Sequence, residues 1–237
     1  MKVRSTCVVR VVLQTILLTG LFSLLLVRSA AAVPLVNGGF ELPALPLGNF
    51  QVISPGTEPP GFGWTVNFGS VDVSHQPNAF VLYDAYEGVQ LLDLNGNERG
   101  EIYQDFATSP GQIYQVSFAY TDNSQEGGTS TAGVRVNDVG GLNLLLNDPV
   151  SHSTATNGPP PNADWQIYTG SFQAIGLLSR LTFTSTSPSN SPSGGIVLDA
   201  VSVTNVPEPA SATLLSLGLL GLAAWRVRRR NTTRVVS

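Results

Sequence analysis

The chain has 237 residues, of which 42% are hydrophobic and only 12% are charged, and its formal net charge is −4. Nine of its twelve basic residues lie in the terminal segments, which leaves residues 33–206 with three arginines against fifteen acids, a net charge of −12. Nucleic acid and anionic membrane surfaces are unsuitable partners for this acidic stretch, because phosphate binding requires clustered lysine and arginine. The single cysteine is Cys7, so disulfides cannot stabilise the middle of the chain, and a large core or a bound metal must do so.

Residues 1–32 have the three parts of a secretory signal peptide. Lys2 and Arg4 belong to a positive first part, residues 11–27 are mostly apolar, and three alanines end the segment at Ala32. Small residues of this kind are what a signal peptidase needs at its cleavage site. The pattern predicts a signal helix that is removed after Ala32, with an uncleaved membrane anchor as the alternative.

The middle of the chain, residues 33–205, is predicted to form one all-β domain. It shows no long stretch of helical periodicity, whereas several short runs alternate apolar and polar residues, as strands do. One strand face is formed by Tyr114, Val116, Phe118 and Tyr120. Residues 42–63, with several prolines and glycines, and residues 147–163, which include Pro159-Pro160-Pro161, are predicted to be loops. Many short strands with frequent turns favour a β-sandwich or a barrel.

The C-terminal segment combines three features in a fixed order. A Pro-Glu-Pro triplet is followed by a mostly apolar run of sixteen residues, 210–225, and then by a cluster of arginines. The apolar run predicts a short transmembrane helix of about 24 Å, against a hydrocarbon core of about 30 Å. The arginines should stay on the cytoplasmic side, which makes residues 231–237 a cytoplasmic tail and leaves the domain outside.

This tail, residues 206–230, resembles the PEP-CTERM sorting signal of bacteria that make extracellular polysaccharide. The matching residues are Pro207, Glu208, Pro209, Arg226, Arg228, Arg229 and Arg230. The resemblance implies an exosortase-type processing enzyme as a partner and an inner-membrane stage before processing. It also implies export through that membrane, with the cell surface or the extracellular matrix as the destination.

Four stretches of the domain carry a second resemblance. They are VNGGFELP, GWTVNFGSVDV, the long central run from LLDLNGNERGE to FAYTDN, and the closing run from LTFTSTS to VLDAVSVTNV. Together they are similar to the DUF642-related family called choice-of-anchor C. The resemblance implies a galactose-binding-like jelly-roll β-sandwich, a fold that many carbohydrate-binding modules share.

Two acids, Glu41 and Asp199, stand alone in otherwise apolar, strand-like runs. A buried carboxylate costs several kcal/mol unless it is neutralised or paired. In jelly-roll carbohydrate-binding modules, matching acids on the first and last strands hold a structural Ca²⁺, so the resemblance implies that Glu41 and Asp199 are metal ligands. In the alternative interpretation each acid accepts backbone amides or lies at a solvated edge.

A second acidic stretch, DLNGNERGE at residues 93–101, has the D-x-N-x-N spacing of a calcium loop. It lacks the glycine and the glutamate that an EF-hand requires at later positions. A tight turn at Asn95-Gly96 between two strands is the favoured interpretation.

The aromatic residues supply the candidate ligand site. Tyr83 and Tyr86 lie in the loop-like stretch NAFVLYDAYEG and could stack on sugar rings. Trp64 and Trp165 are assigned to the core. The only histidines are His75 and His152, both in polar surroundings, and no G-x-S-x-G elbow occurs. We therefore assign no catalytic residues.

These features together favour an exported, non-enzymatic, carbohydrate-binding surface or matrix protein associated with exopolysaccharide. A structural or adhesion protein with a protein partner is the first alternative. A glycosidase or esterase is the second, because the spacing of paired catalytic acids is three-dimensional and cannot be read from sequence.

Overall fold

A computed structural model describes residues 32–33, 35–77, 84–123, 129–139, 143–153, 164–188, 194–206, 218–223 and 225–226. The chain divides into two compact units, one from Ala31 to Val206 and one made of the two terminal segments. In the described part, the first unit contains strands only, so the all-β prediction is confirmed. The strands are β1 (Ala32–Val33), β2 (Phe50–Ile53), β3 (Thr65–Phe68), β4 (Val71–His75), β5 (Gln90–Asp93), β6 (Glu101–Ala107), β7 (Ile113–Asp122), β8 (Thr129–Asp138), β9 (Leu144–Ser153), β10 (Gln166–Gln173), β11 (Leu178–Ser185) and β12 (Ile196–Val206).

The strands form two antiparallel sheets. The seven-stranded sheet has the order β10-β7-β12-β5-β4-β2, with β1 added along β12, and the five-stranded sheet has the order β3-β6-β11-β8-β9. Neighbouring strands are mostly distant in sequence, since β12 lies between β7 and β5, and β11 lies between β6 and β8. This arrangement is the predicted jelly-roll β-sandwich.

The core lies between the two sheets. Alternation along β7 directs Tyr114, Val116 and Phe118 inward, as the sequence pattern predicts. The ring of Phe118 meets that of Phe183 from the opposite sheet at 4.9 Å between centroids. Trp64 is only 2% exposed, so its assignment to the core is confirmed. Each buried large apolar side chain contributes about 1.5–3 kcal/mol.

The predicted loops are partly wrong. Strand β2 lies within the predicted loop 42–63, and most of β9 lies within the predicted loop 147–163. Strand β9 contains Pro149, which argues against a central strand. It is tolerated here because β9 is an edge strand that pairs only with β8, where Gly133 is the partner of this proline.

The terminal segments carry the predicted targeting features. Residues 1–31 of the predicted signal peptide lie outside the described residues. Of the predicted transmembrane segment, residues 218–223 and 225 are helical, and the helix extends to Arg226, which is exposed. No helix in the described part of the chain reaches the length and apolarity needed to cross a bilayer.

Candidate functional site

The outer face of the seven-stranded sheet carries a small apolar cluster. Leu92 and Leu198 point into the core, so their neighbours Leu91 and Val197 point to the opposite face. Both are fully buried, because Trp165 packs over them. The assignment of Trp165 to the main core is therefore wrong. Its ring is half-buried and covers the outside of the sheet instead.

Tyr86 lies beside this tryptophan. Its side chain is 48% exposed, and its ring meets that of Trp165 edge-on, with 5.9 Å between centroids. The indole N–H of Trp165 donates to the carbonyl of Asp84 at 3.3 Å, which ties the tryptophan to the same segment. The result is an exposed phenol ring supported by a second aromatic ring, a surface suited to the C–H face of a sugar.

The backbone of Tyr86 is held by the buried carboxylate of Asp199. One oxygen, Oδ2, accepts the amides of Tyr86 and Glu87 at 2.9 and 3.0 Å, and Oδ1 accepts the amide of Ala200 at 2.6 Å. Burial raises the pKa of Asp199 to about 7, although the amide hydrogen bonds oppose the rise. Ala200 has a φ of 52° at an irregularity in β12, and such irregularities re-aim side chains.

Glu41 holds the other end of the same segment. Its Oε1 accepts the amides of Val89 and Gln90 at 2.8 and 3.0 Å. Between the two clamped pairs lies Gly88, whose φ is 61°, and a Cβ there would overlap the carboxylate of Glu41. Only glycine therefore fits this position. Together, Glu41 and Asp199 fix residues 86–90 at both ends.

These contacts match the alternative interpretation of the two acids, in which each accepts backbone amides. Among the described residues, no group of three or more histidine, cysteine, aspartate or glutamate side chains is placed to hold a metal. Calcium binding by Glu41 and Asp199 stays a prediction. Backbone amides already occupy some of the lone pairs of both carboxylates. Ca²⁺ takes about six to eight oxygen ligands, so other oxygen atoms would have to complete its coordination shell.

Most of the other predicted site residues are not described by the structure. Tyr83, Pro207, Glu208, Pro209, Arg228, Arg229 and Arg230 lie outside the described residues. The stretch 93–101 connects β5 to β6 through a loop, which is closed by a bridge between Asn95 and Arg99 and by a hydrogen bond from the Gly100 amide to the Leu94 carbonyl at 2.8 Å.

Next to this loop, a buried acid and a partly buried acid lie opposite each other. Asp93 on β5 is the direct partner of Asp72 on β4. Asp93 accepts the amide of Asn95 at 2.8 Å and the side-chain amide of Asn123 at 3.0 Å, whereas Oδ1 of Asp72 is buried without a hydrogen bond. Burial raises the pKa of Asp93 to about 8 and that of Asp72 to about 6.

Sequence reasoning missed the histidine at the end of β9. Nδ1 of His152 lies 2.6 Å from Oδ1 of Asp122, and Nε2 lies 2.8 Å from the carbonyl of Asp164. Both side chains are buried. Burial lowers the pKa of His152, but the hydrogen bond and charge of Asp122, with the Asp164 carbonyl, outweigh it and raise the pKa. The pair links β7, β9 and the start of β10, and the polar surroundings of His152 in the sequence gave no sign of it.

Among curated proteins, halomucin of Haloquadratum walsbyi (strain DSM 16790 / HBSQ001) is 30% identical over 148 residues, 62% of this chain. The chain spans about 1% of the length of that protein.

Solved structures that resemble this one include TmCBM61 in complex with β-1,4-galactotriose. It has 16% identity and a TM-score of 0.44, and the match covers 75% of this chain and all of that one. The CBM22-1 xylan-binding domain from Paenibacillus barcinonensis Xyn10C has 14% identity and a TM-score of 0.42, with 70% of this chain and all of that one covered.

Two family models match the chain. Residues 205–230 match the PEP-CTERM protein-sorting motif, which confirms the interpretation of the tail and marks the chain for export to the cell surface or the extracellular space. Residues 33–204 match the model described as a protein of unknown function, DUF642. The second match covers more than half of the chain, and the protein therefore belongs to the DUF642 family.

Proposed function

We infer that this exported protein is a non-catalytic carbohydrate-binding protein of the cell surface or matrix, and that it binds exopolysaccharide through Tyr86. The observation that carries this proposal is the exposed Tyr86 ring, supported by Trp165 and clamped through its own backbone amide by Asp199. Aromatic faces bind the apolar faces of sugar rings, so an exposed ring of fixed orientation is suited to this ligand.

The two carboxylate clamps support the proposal further. A loop that is already ordered loses less conformational freedom when it binds, and affinity improves accordingly. Glu41 and Asp199 provide four hydrogen bonds to the backbone of residues 86–90. This loop therefore starts close to its ligand-bound conformation.

The net charge of the domain bears on which polysaccharide is bound. With fifteen acids and three arginines, residues 33–206 repel polyanions. We therefore propose a neutral polysaccharide for the Tyr86 site.

The tail supports a second part of the proposal. We assign an exosortase-type processing enzyme as a partner and the inner membrane as the location before processing, on the basis of the matched sorting motif. The mass of the mature protein tests this directly, since removal of residues 1–32 and removal of the tail would each lower the mass by a defined amount.

The binding proposal is tested with the full-length chain in detergent micelles, passed over immobilised galactan, xylan and β-glucan. Tyr86→Ala should weaken retention about tenfold, the loss of one aromatic contact of about 1.4 kcal/mol. Phe50→Ala is the matched control, because Phe50 is 44% exposed on strand β2, outside the segment of residues 86–90.

Three outcomes separate the alternatives. Unchanged retention of Tyr86→Ala would remove Tyr86 from the site. If the chain binds a protein partner and none of the polysaccharides, the adhesion role is favoured. Release of reducing ends or of ester groups from the polymers would show an enzyme.

A further inference from the structure

The five-stranded sheet carries two of the three arginines found in residues 33–206. Arg135 lies in β8 and Arg180 in β11. The neighbours of Arg135, Val134 and Val136, are in the core, as is Leu181 beside Arg180. Because side chains alternate along a strand, both arginines lie on the outer face of this sheet. This face is on the opposite side of the sandwich from Tyr86.

Arg135 belongs to a hydrogen-bonded network that crosses the sheet. Its Nη2 donates to Oε2 of Glu101 at 2.8 Å and to the hydroxyl of Thr184 at 3.2 Å. The side-chain amide of Asn67 donates to Oε1 of the same glutamate at 2.8 Å. Glu101 is only 7% exposed, so these donors surround it. The network joins β3, β6, β11 and β8 and fixes the orientation of each polar group.

Arg180 is held in the same way. Its Nε and Nη2 donate to the two carboxylate oxygens of Asp105 at 2.6 and 2.9 Å, and its guanidinium lies 3.7 Å from the centre of the Tyr103 ring. Each arginine on this face is thus paired with one acid. The face is neutral in a domain whose net charge is −12.

An exposed aromatic ring borders the network. Strand β3 has an irregularity that sets both Asn67 and Phe68 against Glu101, and the Phe68 side chain is 45% exposed. On the other side, Gly133 is paired with Thr184, and an atom in the position of its missing Cβ would meet nothing within 4 Å. The face therefore has an apolar ring, fixed hydrogen-bonding groups and a low point in one cross-strand row.

We propose that this platform, formed by Asn67, Phe68, Glu101, Gly133, Arg135 and Thr184, is a second carbohydrate-binding surface. The fixed polar groups suit the hydroxyls of a sugar, and Phe68 suits its C–H face. The neutral balance of arginines and acids fits an uncharged polysaccharide. A polyanion would need unpaired arginines, which these contacts do not provide.

Two binding surfaces on opposite faces of one sandwich would let a single molecule bridge two polysaccharide chains. This bridging role rests on the proposed function of Tyr86, whereas the platform itself rests on its own contacts. Each surface holds a different chain, so the loss of one surface weakens retention without abolishing it and removes the ability to cross-link polymer.

The test uses the full-length chain in detergent micelles, with galactan, xylan and β-glucan as neutral polymers and alginate as the anionic comparison. Phe68→Ala, Tyr86→Ala, the double variant and the control Phe50→Ala are compared. Phe68 is exposed, so its removal leaves the core unchanged, and Arg135→Ala serves as a second platform variant. Each single variant should lose about tenfold in retention, and the double variant should not be retained. Only wild type and Phe50→Ala should precipitate soluble polymer.

The outcomes separate the two proposals. If Tyr86→Ala already abolishes retention, the platform is not a site and the proposed function stands. If Phe68→Ala and Arg135→Ala abolish retention while Tyr86→Ala has no effect, the platform stands and the Tyr86 assignment fails. If Phe68→Ala instead abolishes self-association of the protein and leaves retention unchanged, the platform is a protein interface and the proposal is wrong.

Discussion

The buried carboxylate of Asp199 accepts the backbone amide of Tyr86 at 2.9 Å, although 113 positions of sequence separate the two residues. Glu41 makes the equivalent contact with Val89 from the opposite end of the domain sequence. The first and last parts of the domain thereby fix one short segment between them. The exposure and orientation of the Tyr86 ring depend on both.

Calcium binding by Glu41 and Asp199 is tested by chelation. If the pair holds Ca²⁺, EDTA lowers the melting temperature of the wild-type protein, because a ligand that binds only the folded state stabilises it. The effect should be small in Glu41→Ala and Asp199→Ala, which lack a ligand. Circular dichroism during heating measures it.

Glu58→Ala is the matched control for this experiment. Glu58 also accepts a backbone amide, that of Val66 at 2.9 Å, but it is not a predicted metal ligand. It should keep the wild-type response to EDTA. An equal response of all four proteins would contradict calcium binding at the pair and leave the amide contacts as its role.

Gly88→Ala should destabilise the protein through two separate effects. The new Cβ would overlap the Glu41 carboxylate, and alanine would have to adopt the positive φ of 61°. Gly56→Ala is the matched control, since its φ is 77° and nothing lies within 4 Å of the added atom. We expect the free energy of unfolding to fall by about 1 kcal/mol in the control and by about 2–3 kcal/mol in Gly88→Ala. Urea unfolding measures both, and equal losses would show that the Glu41 contact has no energetic effect.

Stability should fall as the pH rises from about 4 to about 8. Burial raises the pKa of Asp72 to about 6 and that of Asp93 to about 8, whereas unfolded aspartate has a pKa of about 3.9. The folded state therefore binds more protons than the unfolded state in this window, and the protein is more stable at its acidic end. Urea unfolding at pH 5 and pH 8 measures the difference.

Asp72→Asn should reduce this pH dependence and raise stability at pH 8. The change removes one of two facing carboxylates, and Oδ1 of Asp72 has no hydrogen bond to lose. Asp105→Asn, on the exposed face of the five-stranded sheet, is the control and should keep the wild-type slope. A slope for Asp72→Asn equal to that of wild type would show that the facing pair is not its source.

His152→Ala should lower the free energy of unfolding by about 3–5 kcal/mol, since it removes the imidazole that pairs with the buried Asp122 carboxylate. Arg180→Ala removes an exposed ion pair and should cost about 0–1 kcal/mol. A double-mutant cycle with Asp122→Ala measures the coupling of the pair. If the effects of the two substitutions on the free energy of unfolding are additive, His152 and Asp122 are not coupled.

The pH dependence of this pair has a defined sign. The pKa of His152 is raised in the folded state, so its contribution to folding stability is complete below about pH 6.5, the pKa of unfolded histidine. This contribution is lost as the pH rises through the folded-state pKa. The wild-type protein should therefore lose more stability in this range than His152→Ala does. A parallel pH profile for the two proteins would exclude protonated His152 as a contributor.

The sequence predicts the fold well where side-chain alternation is strong. The pattern from Tyr114 to Tyr120 identifies β7 and its inward face, and the same reasoning identifies most of the domain. It fails at β9, because the loop predicted from Pro159-Pro160-Pro161 begins too early, at residue 147. Pro149 is tolerated in this strand only because β9 lies at an edge, and edge position is a property of the whole sheet.

Sequence reasoning predicts only part of the candidate site. Glu41 and Asp199 are recognisable because a carboxylate in an apolar run needs a partner. Their partners, however, are backbone N–H groups of residues 86–90. Every residue type except proline has a backbone N–H, so the sequence does not mark these partners. The support of Tyr86 by Trp165 and the pairing of His152 with Asp122 join distant parts of the chain, and only the strand order brings them together.

The position of β12 has a mechanical consequence. The strand ends at Val206, where the matched sorting segment continues, and it pairs with β7 over most of its length and with β5 beside Leu198. A force applied through the tail pulls β12 along its own axis, across hydrogen bonds that lie perpendicular to it. Those bonds must break together rather than one at a time, so this sandwich should resist tension applied at its C-terminal end.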